Sequence, residues 1–203
     1  MTRSYRSPVR AVAAQVTRAA IVEAARALFA QRGYARTSVA AIADRAGVAL
    51  NTVYTSVGGK PALIAAVAQD ATDDAAIEAA LAETADTADG RRILRVLADG
   101  TAEVTRRQSE TLRFLLENRS SEPAVAEAAE QAFDRYRERL TRAATRLAGL
   151  DALRPWIDAE RAAQILWFYF GAAAWSTARQ MGWTWDDAAD WLYAQAVTAL
   201  LDD

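Results

Sequence analysis

The 203-residue sequence predicts an all-α protein. Three observations carry this reading. Apolar residues recur at helical spacing along almost the whole chain. No stretch shows the period-two alternation of a half-buried strand. Glycine or proline falls between the periodic segments, as it does at helix ends.

About nine helices follow in order. Residues 1–16 are basic, and Pro8 argues against a helix at the start, so they read as a flexible arm. A first helix opens at Thr17, carries Ile21, Val22, Ala25, Leu28 and Phe29 on one stripe, and stops at Gly33. Thr37-Ser38 opens a second, with Val39, Ile42, Ala43 and Ala46 inward, and Gly47 breaks it. A short third helix covers Ala49 to Ser56 around Val53, and Gly58-Gly59 ends it. Pro61 stands in the first turn of a fourth, where its missing N–H costs nothing; Leu63, Ile64 and Val67 carry it on to about Ala82. The remaining helices are expected at Asp89–Arg107, Ser109–Asn118, Glu122–Gly149, Asp158–Met181 and Trp185–Leu201, with Pro123 and Pro155 at breaks.

Composition narrows the function classes. The chain has no cysteine and no histidine, which removes thiolate chemistry, the commonest general base and the commonest zinc ligand. No metal or cofactor is expected. Gly58-Gly59-Lys60 lacks the first glycine and the following hydroxyl of a phosphate-cradling P-loop. These features argue against an enzyme. The longest apolar run, Ile165 to Trp175, is too short to span a bilayer, and no signal peptide is evident, so a cytoplasmic protein without a membrane partner is expected.

Net charge is −2, but it is unevenly spread. Residues 1–60 hold eight arginines and the only lysine, Lys60, against Glu23 and Asp44, a balance of +7. Residues 61–203 hold 15 arginines against 24 acids, a balance of −9. A basic first third on an acidic remainder suggests that the first third meets a polyanion.

Residues 39–57 have the periodicity of a helix-turn-helix. Ala43 is small where two helices cross, Gly47 supplies the turn, and Ile42, Ala46, Val48 and Val53 lock the pair. Around this core the sequence reads Thr37-Ser38-Val39, Ile42-Ala43, Ala46-Gly47-Val48, Thr52-Val53-Tyr54 and Lys60-Pro61-Ala62-Leu63, preceded by Leu28-Phe29 and Gly33-Tyr34. In this order and spacing, over about residues 17–65, it resembles the DNA-binding domain of the TetR family of bacterial transcriptional regulators. It departs from the family pattern at Ala49, which offers no side-chain cap, at Asn51, at Ser56-Val57, where an aromatic anchor is usual, and at Pro61, where Glu is frequent.

The second helix of a helix-turn-helix enters the major groove, so its outward residues, Ala49, Leu50, Asn51, Thr52, Tyr54 and Thr55, are the candidates to contact DNA. Asn51 has the donor and acceptor to pair with adenine, and Leu50 and Thr52 suit a thymine methyl. The resemblance implies phosphate contacts from Tyr54, from Lys60 beyond the Gly58-Gly59 turn, and from Thr37 or Ser38 at a helix start. Arg3, Arg6 and Arg10 are candidates for a DNA-binding arm.

One recognition helix reads few base pairs, so a homodimer on a palindromic duplex operator is expected. The last two helices are the dimer candidates: the first is apolar nearly all round, and Phe168, Gly171 and Ala172 with Trp191, Leu192, Ala196 and Leu200 form the expected interface. In relatives these helices pair as a four-helix bundle. For a small-molecule effector, apolar or aromatic, the candidate lining is Arg113, Phe114, Tyr136, Trp167, Phe170 and Trp175, with Arg119 as a further cation.

The expected organisation is an arm over 1–16, a helix-turn-helix domain over 17–60, and a helical effector-binding and dimerisation domain over 61–203. The expected function is a ligand-responsive repressor released by its effector. A transcriptional activator, or a helical ligand-binding dimer without sequence-specific DNA binding, are the alternatives.

Overall fold

The computed structural model describes residues 8–72, 82, 84 and 86–202. Among them the chain forms ten helices: α1 (Pro8–Arg32), α2 (Val39–Ala46), α3 (Leu50–Ser56), α4 (Lys60–Thr72), α5 (Gly90–Arg107), α6 (Ser109–Asn118), α7 (Pro123–Gly149), α8 (Ala159–Phe170), α9 (Ala172–Gln180) and α10 (Trp185–Leu200). Their only β-type pairing is an isolated bridge between Leu153 and Leu201, which ties the carboxyl end to the α7–α8 loop.

Local chemistry accounts for the boundaries. Asp89, Asp158 and Thr184 each accept a backbone N–H from the first turn of the helix they precede. Pro123 opens α7, where its ring suits the first helical position. Gly47 closes α2 in the left-handed conformation, φ 68°, that a residue with a Cβ adopts at a cost.

Two boundaries correct the sequence reading. The first helix starts at Pro8 rather than Thr17, because proline at a helix start loses no hydrogen bond. Arg10 therefore sits on a helix, exposed, rather than in a flexible arm; Arg3 and Arg6 lie outside the described residues. The expected helix Asp158–Met181 is two helices, broken at Gly171, whose backbone is extended (φ −70°, ψ 157°).

The buried apolar residues form two cores. The first joins α1–α4 to Leu112 and Leu115 of α6, the amino-terminal half of α7 from Val125 to Phe133, and Ala172. The second gathers α5, the carboxyl-terminal half of α7, and α8 to α10. α7 spans both. The helix-turn-helix thus shares its core with α4, α6 and α7, so a displacement of those helices meets close-packed side chains of the head. Buried Arg139, midway along α7, donates to the Thr72 carbonyl at the last turn of α4 and strengthens this seam.

Candidate nucleic-acid interface

The reading head is built from α1, α2 and α3. Ile21, Ile42 and Val53 are fully buried and bring the three helices together. Ser38 caps α2, its hydroxyl accepting the Ala41 N–H at 3.2 Å. After Gly47 the Val48 N–H bonds the Ala43 carbonyl at 3.1 Å, which sets the turn into α3. Ala49 precedes α3 and provides no side-chain cap, as its methyl dictates.

On α3, burial of Val53 turns the opposite face outward. Leu50 is 45% and Tyr54 52% exposed, Asn51 and Thr55 are exposed, and Thr52 is half-buried. Leu50 and Tyr54 leave about half of their surface in solvent, where an apolar side chain and a phenol suit a base methyl and a phosphate. Thr55 turns its hydroxyl back to the Asn51 carbonyl at 3.0 Å.

Thr37 departs from expectation. It is buried, and its hydroxyl donates to the Gly33 carbonyl at 2.8 Å and the Leu28 carbonyl at 3.2 Å. It fastens the end of α1 and has no hydroxyl left for a phosphate. Ser38, exposed at the start of α2, keeps that position.

Lys60 is held as well as aimed. Its Nζ donates to the Ala35 carbonyl at 3.0 Å and lies 4.4 Å from the centre of the Tyr34 ring. Gly58, at φ +119°, makes the turn that brings it there; a Cβ at that position would also meet Ala62 at 2.9 Å. Nearby, exposed Arg36 and Arg45 flank the α1–α2 loop and α2. Exposed Arg18 donates to the Ser56 carbonyl at the end of α3 at 3.1 Å. These three cations belong to the same basic head, and the charge bias of the first third is the sequence signal that points to them.

The ring of Tyr34 is the first link in a path inward. It packs 5.4 Å from Phe29, which stacks at 6.3 Å on Phe114 of α6. Burial, with the Glu122 carboxylate nearby, pushes the Tyr34 phenol above its usual range. Phe114 is therefore a contact between head and body rather than part of an effector site with Tyr136.

The other expected pocket residues also separate. Tyr136, Phe170 and Trp175 are buried side by side in the second core. Trp167 lies against Tyr136 and Phe133 and reaches a surface cavity of about 530 Å³ beside Phe168, Met181, Trp183 and Trp191. Arg113 lines a different cavity, of about 370 Å³, between α5, α6, α9 and the start of α10. Arg119 is exposed in the loop after α6.

Of the expected interface residues, Phe168 is 73% and Trp191 47% exposed. With Met181 they line one apolar surface cavity formed by α8, α9 and α10. Ala172, Leu192, Ala196 and Leu200 are buried within the chain itself, Ala172 in the first core and the other three in the second. Gly171 is buried at the helix break.

No helix among the described residues is long and apolar enough to cross a membrane. No group of three or more potential metal-ligating side chains occurs among them either.

Residues 21–67 match the family described as bacterial regulatory proteins, tetR family. No curated protein matches the sequence of the chain. Among solved structures, the fatty acid degradation regulator FadR from Bacillus halodurans superimposes with a TM-score of 0.74 at 16% identity, over 89% of this chain and 94% of that one. NalD, the secondary repressor of the MexAB-OprM multidrug efflux pump in Pseudomonas aeruginosa, gives 0.72 at 20% identity, over 94% and 99%. SmeT, the repressor of the Stenotrophomonas maltophilia multidrug efflux pump SmeDEF, gives 0.69 at 23% identity, over 94% and 93%. These likenesses show a shared fold along nearly the whole chain.

Proposed function

This chain carries the amino-terminal domain of the tetR family of bacterial regulatory proteins, and from that premise we propose that it is a ligand-responsive repressor of transcription. It acts on duplex DNA in the cytoplasm, as a homodimer on a palindromic operator. The observation that carries this is the outer face of α3: Leu50, Asn51 and Tyr54 stand in solvent on a helix whose other side is locked by fully buried Val53. A rigid helix with an exposed mixed polar and apolar face, set in a basic head, suits the major groove.

Asn51 reads a base edge; Leu50 and Thr52 contact thymine methyl groups. Tyr54, Ser38 and Lys60 take phosphates, Lys60 keeping donor capacity beyond its bond to Ala35. The apolar face around Phe168 and Trp191 pairs two copies, which spaces the recognition helices by about one DNA turn, ~34 Å, or a multiple of it. A small molecule bound in the body shifts the packing of α6 and α4 against the head and so changes that spacing. Loss of DNA affinity then equals the coupling free energy, typically ~1–3 kcal/mol.

Selection of bound duplexes from a random pool tests the reading. A palindromic consensus with half-sites about one turn, or a multiple of it, apart is expected. A pool that remains random after selection, with no binding even at low ionic strength, would instead leave a ligand-binding dimer without a DNA target.

A further inference from the structure

The cavity of about 370 Å³ beside α6 is not absorbed by the DNA-reading face or by the apolar face. Its volume lies in the range of small-molecule sites. Buried Leu112, Ala172 and Thr105 make the floor, and half-buried Leu116 and Trp185 make the walls. The rim is charged: Glu110 and Arg113 from α6, Arg179 from α9. Arg179 donates to the Trp183 carbonyl and lies 5.1 Å from the Trp185 ring, so its guanidinium is held in place. Arg113, by contrast, makes no hydrogen bond or ion pair among the described residues.

We propose that this cavity binds an organic anion with a flat apolar body, its acid group on Arg113 and Arg179 and its body against Trp185, Leu116 and Leu112. A guanidinium without a partner beside one already fixed is suited to a planar carboxylate or a sulfonate. The indole, already facing a cation, offers a broad surface for an aromatic ring. Glu110, on the same rim, disfavours a second negative group on the ligand and accepts from a donor such as a hydroxyl.

The inference deepens the repressor reading and rests on it for its consequence. α6 presents Arg113 to the cavity and Phe114, the next residue, to Phe29 of the reading head. A ligand that pulls Arg113 toward Arg179 therefore acts on the helix that also touches α1.

Calorimetric titration of the full chain with 2-naphthalenesulfonate, 2-naphthol and a naphthyl-trimethylammonium ion tests the site. The sulfonate should bind once per chain and more tightly than the other two. Arg113→Gln should weaken it about ten- to hundredfold, the expected loss of a hydrogen bond between charged groups. Ser176→Trp, which fills the cavity from α9, should abolish binding, while Thr198→Ala on the exposed side of α10 should leave it intact. Equal binding of the ammonium ion, or sulfonate binding that both Arg113→Gln and Ser176→Trp leave unchanged, would overturn the proposal. The titration needs no DNA: sulfonate binding by a chain that ignores every duplex would sink the repressor reading and leave the anion site standing.

Discussion

The Tyr136 hydroxyl donates to the Phe170 carbonyl at 2.5 Å, from inside the second core. The Trp175 indole N–H reaches the same oxygen at 3.1 Å. In an unbroken helix that carbonyl would take the Ala174 N–H, but at the Gly171 break this N–H goes to the Gly171 carbonyl at 3.0 Å. Two buried side-chain donors thus satisfy the Phe170 carbonyl, which the break deprives of its helical partner, and this buried point of the α8–α9 kink is hydrogen-bonded.

Tyr136→Phe should lower stability by about 1 kcal/mol in denaturant titration, since Trp175 still serves the carbonyl. The pH profile carries a sharper signature. Burial raises the Tyr136 phenol well above its usual value. The folded state then holds its proton where the unfolded chain has lost it, so this contribution is complete below about pH 10 and shrinks as pH rises further. Wild-type stability should fall by up to about 1.4 kcal/mol per pH unit above pH 10 from this group, and Tyr136→Phe should remove that part of the slope.

Gly171→Ala should be among the most damaging small substitutions. An added Cβ would stand 2.5 Å from the Trp167 carbonyl oxygen, a backbone atom that cannot move aside cheaply. A loss of about 2–4 kcal/mol is expected, seen as a lower thermal midpoint. Gly100→Ala, with open space around it in α5, is the control and should be neutral or stabilising.

Phe114→Ala should separate head from body. It removes the stacked contact with Phe29 and should cost about 2–3 kcal/mol, given that Phe114 is only half-buried. If α6 carries the effector signal, the variant should bind DNA in the absence of effector yet lose part of the effector's influence. This is read as the ratio of DNA affinities with and without the effector.

On DNA, Lys60→Ala and Tyr54→Ala should weaken binding to all duplexes alike, whereas Asn51→Ala should relax preference at one base pair per half-site. Equal losses for Asn51→Ala on matched and mismatched sites would remove its assignment as a base reader. Lys60→Ala should also cost about 1 kcal/mol of stability, because the ammonium holds the Ala35 carbonyl and the Tyr34 ring. A reader with ~6–10 phosphate contacts should lose ~10³–10⁵ in affinity between 50 and 200 mM salt.

Trp191→Arg or Phe168→Arg should yield a monomer by sedimentation, since a charge would stand in the centre of the exposed apolar face. The folded helical content should persist, because neither side chain belongs to the buried cores. DNA affinity should fall with the loss of the second head. Folded dimers of either variant would place the partner surface elsewhere.

Local chemistry made the helical class, most helix ends and the reading face legible in the sequence. Gly47, Asp89, Pro123, Asp158 and Thr184 mark boundaries through their own backbone preferences or caps, which act within one turn. The alternation of buried Val53 with exposed Leu50, Asn51 and Tyr54 follows from helical period alone. The destinations of Thr37, Phe114 and Tyr136 required the tertiary structure. A hydroxyl suits a phosphate or a carbonyl, and an aromatic ring suits a ligand or a core; sequence records the capacity but not the neighbour. Packing chose the Gly33 and Leu28 carbonyls for Thr37, the head for Phe114, and a carbonyl opened at Gly171 for Tyr136. Those choices depend on contacts between residues distant in the chain, where close packing admits one neighbour and excludes the rest.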